Sequence, residues 1–120
     1  MASKRDLIAD KDRFTILYPE FTGKCCLCGS TDRVSKHEAF FGTANRTKSK
    51  TDGLIYELCY FHHQAPKTGV HSNKELDNRL KIQAEKIWLN TYTDKNDSFE
   101  NRVKKFIDRY GKNYIMDDSI

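Results

Sequence analysis

The chain has 120 residues, 38% of them apolar and 32% charged, with a formal net charge of +4. That length fits one domain with a modest core, which a metal cross-link would reinforce. The small basic excess suits a phosphate-rich partner as well as it suits a plain solvated surface. No apolar run approaches the roughly 20 residues of a membrane helix, and the basic start Met1 to Asp6 has no apolar segment behind it. The expected compartment is therefore the cytoplasm, without membrane attachment, where thiols stay reduced and cysteines read as metal ligands before disulfides.

Residues 1–12 are charged and expected to fray, as part of an N-terminal extension over residues 1–22. Phe14 to Tyr18 is a short β-prone run closed by Pro19; it reads either as a strand or as an apolar cover. Cys25 and Cys28 follow with C-x-x-C spacing and a glycine directly behind. That is the turn of a zinc knuckle, in which two thiolates converge on one ion. Cys26 is out of register with the pair. A single C-x-x-C also serves redox chemistry, so the zinc reading needs a second pair.

Cys59-Tyr60-Phe61-His62 supplies it. Three thiolates and one imidazole form the closed ligand set of a structural Zn2+ site. All four histidines, His37, His62, His63 and His71, fall between Val34 and Asn73, and His63 stands beside the zinc pair without being needed by it. Between the two pairs, Arg33 to Phe40 reads as a strand, Gly42 to Gly53 as a loop carrying Arg46, Lys48 and Lys50, and Leu54 to Leu58 as a second strand. Cys59 should open a short helix that Pro66 and Gly69 stop.

Ser72 and Glu75 have capping-box spacing. Leu76, Leu80, Ala84, Ile87 and Trp88 then recur at helical intervals, which predicts a helix from about residue 73 to 90 with this stripe in the core. After a polar break, Ser98 precedes a last helix lined by Phe99, Val103, Phe106 and Tyr110 and stopped at Gly111. The expected class is α+β, a single domain over residues 1–120. Its centre is a zinc-stapled core at residues 25–71, and two C-terminal helices occupy residues 72–120.

The run His37-Glu38-Ala39-Phe40-Phe41-Gly42-Thr43-Ala44-Asn45-Arg46, followed by Gly53-Leu54 to Leu58-Cys59-Tyr60-Phe61-His62-His63 and by Gly69-Val70-His71, resembles the HNH endonucleases. These are ββα-metal (His-Me finger) nucleases, and the likeness is strongest to the small proteins of this type carried by phages and prophages of Gram-positive bacteria. The resemblance implies a ββα-metal finger that hydrolyses DNA phosphodiesters in the host cytoplasm and leaves a 3′-hydroxyl and a 5′-phosphate. It makes His37 the base that activates water, and gives His63 the catalytic Mg2+ or Mn2+, with His71 as a further ligand or a phosphate contact. Asn45 would orient His37, and Arg46, Lys48 and Lys50 would meet DNA phosphates.

Two positions depart from the family. Lys36 stands where an acidic or histidine ligand usually precedes the base, and Gly53, beside Asp52, stands where the middle asparagine is usual. In a second register His37 is the metal ligand and Glu38 the base. A non-catalytic zinc module that binds nucleic acid or a phage partner, and a purely structural zinc protein, are the competing readings. The apolar stripes and Trp88 would also serve a homodimer.

Overall fold

The computed structural model describes residues 14–115, so the charged start at residues 1–12 lies outside the described residues. Two strands and four helices follow in the order β1 (Ser35–Glu38), α1 (Thr43–Asp52), β2 (Ile55–Leu58), α2 (Tyr60–His63), α3 (Lys74–Tyr92) and α4 (Phe99–Tyr110). The strands form one antiparallel pair, with Ser35 opposite Leu58 and His37 opposite Tyr56. The molecule is a small α+β structure. Among the described residues no helix is long and apolar enough to cross a membrane.

The stretch expected to be a loop, residues 42–53, is a helix. Gly42 opens α1 at φ 97°, with no side chain capping it. Gly53 ends the helix in the left-handed region at φ 77°, and its N–H turns back to the Lys50 carbonyl. Apolar periodicity misses α1 because its buried residues are Ser49, Lys50 and Asp52. Each has a specific partner. The Ser49 hydroxyl donates to the Phe40 carbonyl (2.7 Å) and accepts from the Phe40 N–H (3.1 Å). Lys50 Nζ lies 3.7 Å from Glu38 Oε1.

Asp52 is a hub. Its carboxylate accepts from the Trp88 indole (2.8 Å), the Tyr110 hydroxyl (2.7 Å) and two Arg109 nitrogens (2.6 and 2.8 Å), and the Tyr92 hydroxyl donates to its carbonyl. One acidic side chain thus joins α1 to both long helices. Gly53 has a further duty beyond its backbone angle: a Cβ there would come within 2.5 Å of the Phe14 ring.

Phe14 to Tyr18 is not a strand. It crosses the outer edge of β2 irregularly, and side chains supply the edge hydrogen bonds that a third strand would have made. Thr15 donates to the Ile55 carbonyl (2.8 Å), while the Tyr18 hydroxyl accepts from the Glu57 N–H (2.8 Å). Ile16, Leu17 and Tyr18 pack on the core, which is the apolar-cover alternative.

The capping of α3 lies one residue later than expected. Asn73 Oδ1 accepts from the Leu76 N–H at 3.1 Å, so Asn73, and not Ser72, is the cap. At α4, Ser98 caps the start and Gly111 ends the helix at φ 89°. Leu80, Ala84, Trp88, Val103, Phe106 and Tyr110 enter one core with Phe40, whose ring lies 5.2 Å from Phe106 and 4.8 Å from Tyr110. Phe40 follows β1 by two residues, so the core packs directly behind the strand that carries His37.

Candidate functional site

Two ligand clusters lie on either side of α2. The first is Cys25, Cys28, Cys59 and His62. The knuckle that carries the first pair is shaped by Glu57, a buried residue of β2 whose carboxylate accepts from the N–H groups of Thr22 and Gly23, both at 2.8 Å. The Gly29 N–H then closes the turn onto the Cys25 carbonyl at 2.8 Å. The second pair is brought by the junction of β2 and α2, where Cys59 is the N-cap and its carbonyl accepts from the His63 N–H.

The spacing within this cluster fits one tetrahedral ion. Cys28 and Cys59 sulfurs lie 3.7 Å apart, and His62 Nδ1 lies 3.6 and 3.5 Å from the sulfurs of Cys25 and Cys59. Tetrahedral Zn2+ at its usual bond lengths would set edges of about 3.8 Å between sulfurs and about 3.5 Å from sulfur to nitrogen. Burial pushes the Cys25 thiol up, but hydrogen bonds from the backbone of Cys59, Leu27 and Cys28 outweigh it and bring it down to about 6. A thiolate is therefore favoured at neutral pH. Cys26 is exposed and outside the cluster.

The second cluster is His37, His63 and His71, whose ligand atoms all lie within 4.8 Å of one another. Strand alternation puts Ser35 and His37 on one face of β1, toward α2. His63 ends α2, and His71 returns on the following turn. That turn is fastened to α2 by the Val70 N–H on the His62 carbonyl (2.7 Å), and the Gly69 N–H on the Ala65 carbonyl (2.8 Å) closes the loop between them. Gly69 has to be glycine for the approach, because a Cβ there would come within 2.7 Å of the His63 carbonyl oxygen.

His63 and His71 face each other Nε2 to Nε2 at 3.1 Å, and the His37 ring centroid is 5.1 Å from both rings. Two imidazoles sharing one ion make an edge of about 2.9–3.4 Å, so the pair has the right separation. His37 is 3% exposed and its Nε2 is buried with no hydrogen-bond partner. Burial, and after it the positive fields of His63, His71, Lys81 and Arg46, lower His37 to about 3. His63 is lowered as well, by burial and then by His71, with Glu38 acting against both. Both rings are neutral near pH 7, the form that binds metal.

These rings open into a cleft of about 240 Å³ that Lys36, Glu38, Phe41 and Arg46 also line. Phe41 packs against His37 (5.7 Å) and His71 (5.3 Å), and Lys81 Nζ sits 4.3 Å from the Phe41 ring centre. Phe41, Lys81 and Ser35 are contributors that the sequence did not single out. The other expected residues divide. Arg46 is in the cleft, whereas Lys48 donates to the Arg109 carbonyl at the end of α4 (2.7 Å). Lys50 is buried beside Glu38. The Asn45 amide donates to the Tyr110 carbonyl (3.1 Å), which ties α1 to α4 and directs the side chain there instead of to His37. Gly53 and Asp52 serve the helix junction already described.

Compared with known proteins, the chain matches no family model, no curated protein and no solved structure.

Proposed function

We propose that this chain is a metal-dependent DNA endonuclease of the HNH type, built on a ββα-metal finger. The observation that carries the reading is the convergence of His37, His63 and His71 in one cleft, separated by a single helical turn from a complete zinc ligand set. A structural zinc protein has no need of the second cluster.

His63 and His71 are the ligands for the reaction's divalent ion. When bound, that ion would stabilise charge on the phosphate and on the leaving oxygen. An imidazole donor set suits Mn2+ and the later transition ions better than Mg2+, which prefers oxygen. His37, neutral and with a buried nitrogen free of partners, takes the proton of the attacking water. Arg46 and Lys36 bring positive charge to the same cleft and would draw the phosphate in. Phe41 closes one wall and keeps the rings of His37 and His71 from turning.

The test is nicking of supercoiled plasmid by purified protein in Mn2+. Metal-dependent nicking that disappears in His37→Ala, with zinc content retained, is expected; equal activity in that variant would refute the proposal. The competing reading, a zinc module that binds nucleic acid without cutting it, draws on Lys36, a cation where the family carries a metal ligand. It predicts salt-dependent DNA binding and no cleavage in any divalent ion.

A further inference from the structure

The antiparallel register sets Ser35 opposite Leu58, the residue before the cysteine that opens α2. Ser35 therefore stands level with the start of α2, on the face of β1 that also carries His37. Its hydroxyl reaches His63 across this junction, with Oγ 2.6 Å from Nδ1. This is a short contact, and it engages the nitrogen of His63 that faces away from His71.

We infer that Ser35 is the positioning residue of this site: its Oγ accepts the His63 Nδ1–H, which fixes the ring's tautomer and leaves Nε2 bare for a divalent ion. The inference rests on the metal-site reading given above. A ring nitrogen can coordinate only with its lone pair free, and a neutral imidazole carries a single N–H. If Nε2 is the ligand atom, the proton belongs on Nδ1, and the acceptor found there is the Ser35 oxygen. Before an ion is bound, the bare His63 Nε2 can accept a hydrogen bond from His71 Nε2–H across the observed 3.1 Å. For both nitrogens to ligate one ion, the His71 proton moves to its own Nδ1, while that of His63 stays on Nδ1, donated to Ser35.

The assignment gives Ser35 a task separate from strand formation. Carboxylates and carbonyls commonly fill this role behind metal-bound histidines, and their loss typically lowers metal affinity roughly 10–100-fold. A hydroxyl is a weaker acceptor, but the short contact holds the ring in one orientation. Threonine keeps the oxygen and suits a strand; alanine removes only the oxygen.

The experiment uses the full chain with its zinc in place and two readouts that need no DNA. The first is the histidine nitrogen NMR spectrum before any second metal is added. His63 is expected with the proton on Nδ1 in the wild type and in Ser35→Thr, and with the proton shifted toward Nε2 in Ser35→Ala. The second is Mn2+ titration, in which Ser35→Ala should bind roughly 10–100-fold more weakly and Ser35→Thr close to wild type, at equal zinc content and equal circular dichroism. His63 protonated on Nε2 in the wild type would overturn the inference, as would unchanged Mn2+ affinity in Ser35→Ala or no Mn2+ binding by the wild type. Absence of DNA cleavage alongside the expected spectra and affinities would refute the nuclease reading alone.

Discussion

His63 and His71 meet nitrogen to nitrogen at 3.1 Å, although one closes a single-turn helix and the other sits eight residues on, beyond a loop containing proline. So short a helix does not hold itself in water. It is fastened by the Val70 N–H on the His62 carbonyl, and an ion held by Cys59 and His62 with Cys25 and Cys28 would fasten it further. The Cys3His cluster and the three-histidine cluster share this turn, so in the proposed reading the first supports the second.

Removal of zinc should therefore disable both clusters. A strong zinc chelator, or the substitution Cys59→Ser, is expected to abolish Mn2+ binding at His63 and His71 and to lower the thermal midpoint sharply, since a structural zinc site contributes on the order of 10 kcal/mol. Near-ultraviolet circular dichroism and Mn2+ titration would check this. Intact Mn2+ affinity in zinc-free protein would show that α2 stands without the first cluster.

His37 and the ion-binding pair should separate experimentally. In His37→Ala, nicking is expected to fall about 10²–10⁴-fold, the usual contribution of a general base, with Mn2+ affinity changed only a few-fold. Parallel titration and plasmid assays read the two quantities. Loss of Mn2+ binding in this variant would instead make His37 the third ligand and transfer the base role to Glu38.

Asp52 should matter for stability and not for metal. It is the common acceptor for Arg109, Trp88 and Tyr110. Asp52→Ala strips three donors of their partner and is expected to cost about 3 kcal/mol, the lower end for a broken buried pair because Arg109 is partly exposed. Urea denaturation with zinc quantification would measure it. A loss below about 0.5 kcal/mol, the level of an ordinary surface change, would contradict the hub.

Glu85 gives the fold a pH dependence. It is fully buried on α3, its Oε1 accepts the Tyr114 N–H at 2.7 Å, and its Oε2 has no partner. Burial raises it to about 7, against the pull of backbone hydrogen bonds from Tyr114 and Ile115. Its folded value exceeds its unfolded one, so the contribution is complete below the ordinary glutamate range and is lost as pH rises through 7. The total is about 3 kcal/mol. Glu85→Gln keeps the acceptor and removes the ionisation. Relative to this variant, the wild type should lose stability from pH 5 to about pH 7 and level off above that in denaturant titrations, and a constant difference would be the contrary result.

The two ligand clusters could be read from the chain because metal chemistry restricts residue type and spacing: Cys25 with Cys28, Cys59 with His62, and the surplus His63 stand out in any fold. The long helices could be read because Leu80, Ala84, Val103 and Phe106 repeat at the helical period and Ser98 and Gly111 carry their own end signals. Helix α1 could not, because Ser49, Lys50 and Asp52 face inward and satisfy themselves with distant partners, which a pattern of apolar residues does not register. Ser35 was equally hidden. A serine in a short strand has no signature until the register sets it opposite Leu58 and beside α2. The basic residues of α1 look alike in sequence, yet only the fold separates Arg46 in the cleft from Lys48 at the end of α4 and Lys50 beside Glu38.

His63→Ala, prepared with its full complement of zinc, decides whether one cluster holds the fold while the other carries out the proposed chemistry. In a Mn2+ plasmid-nicking assay this variant is expected to keep wild-type zinc content and a wild-type circular dichroism spectrum and to lose nicking by at least about 100-fold, as follows when an essential metal ligand is removed. Nicking at the wild-type rate by that zinc-loaded variant would contradict this division of roles.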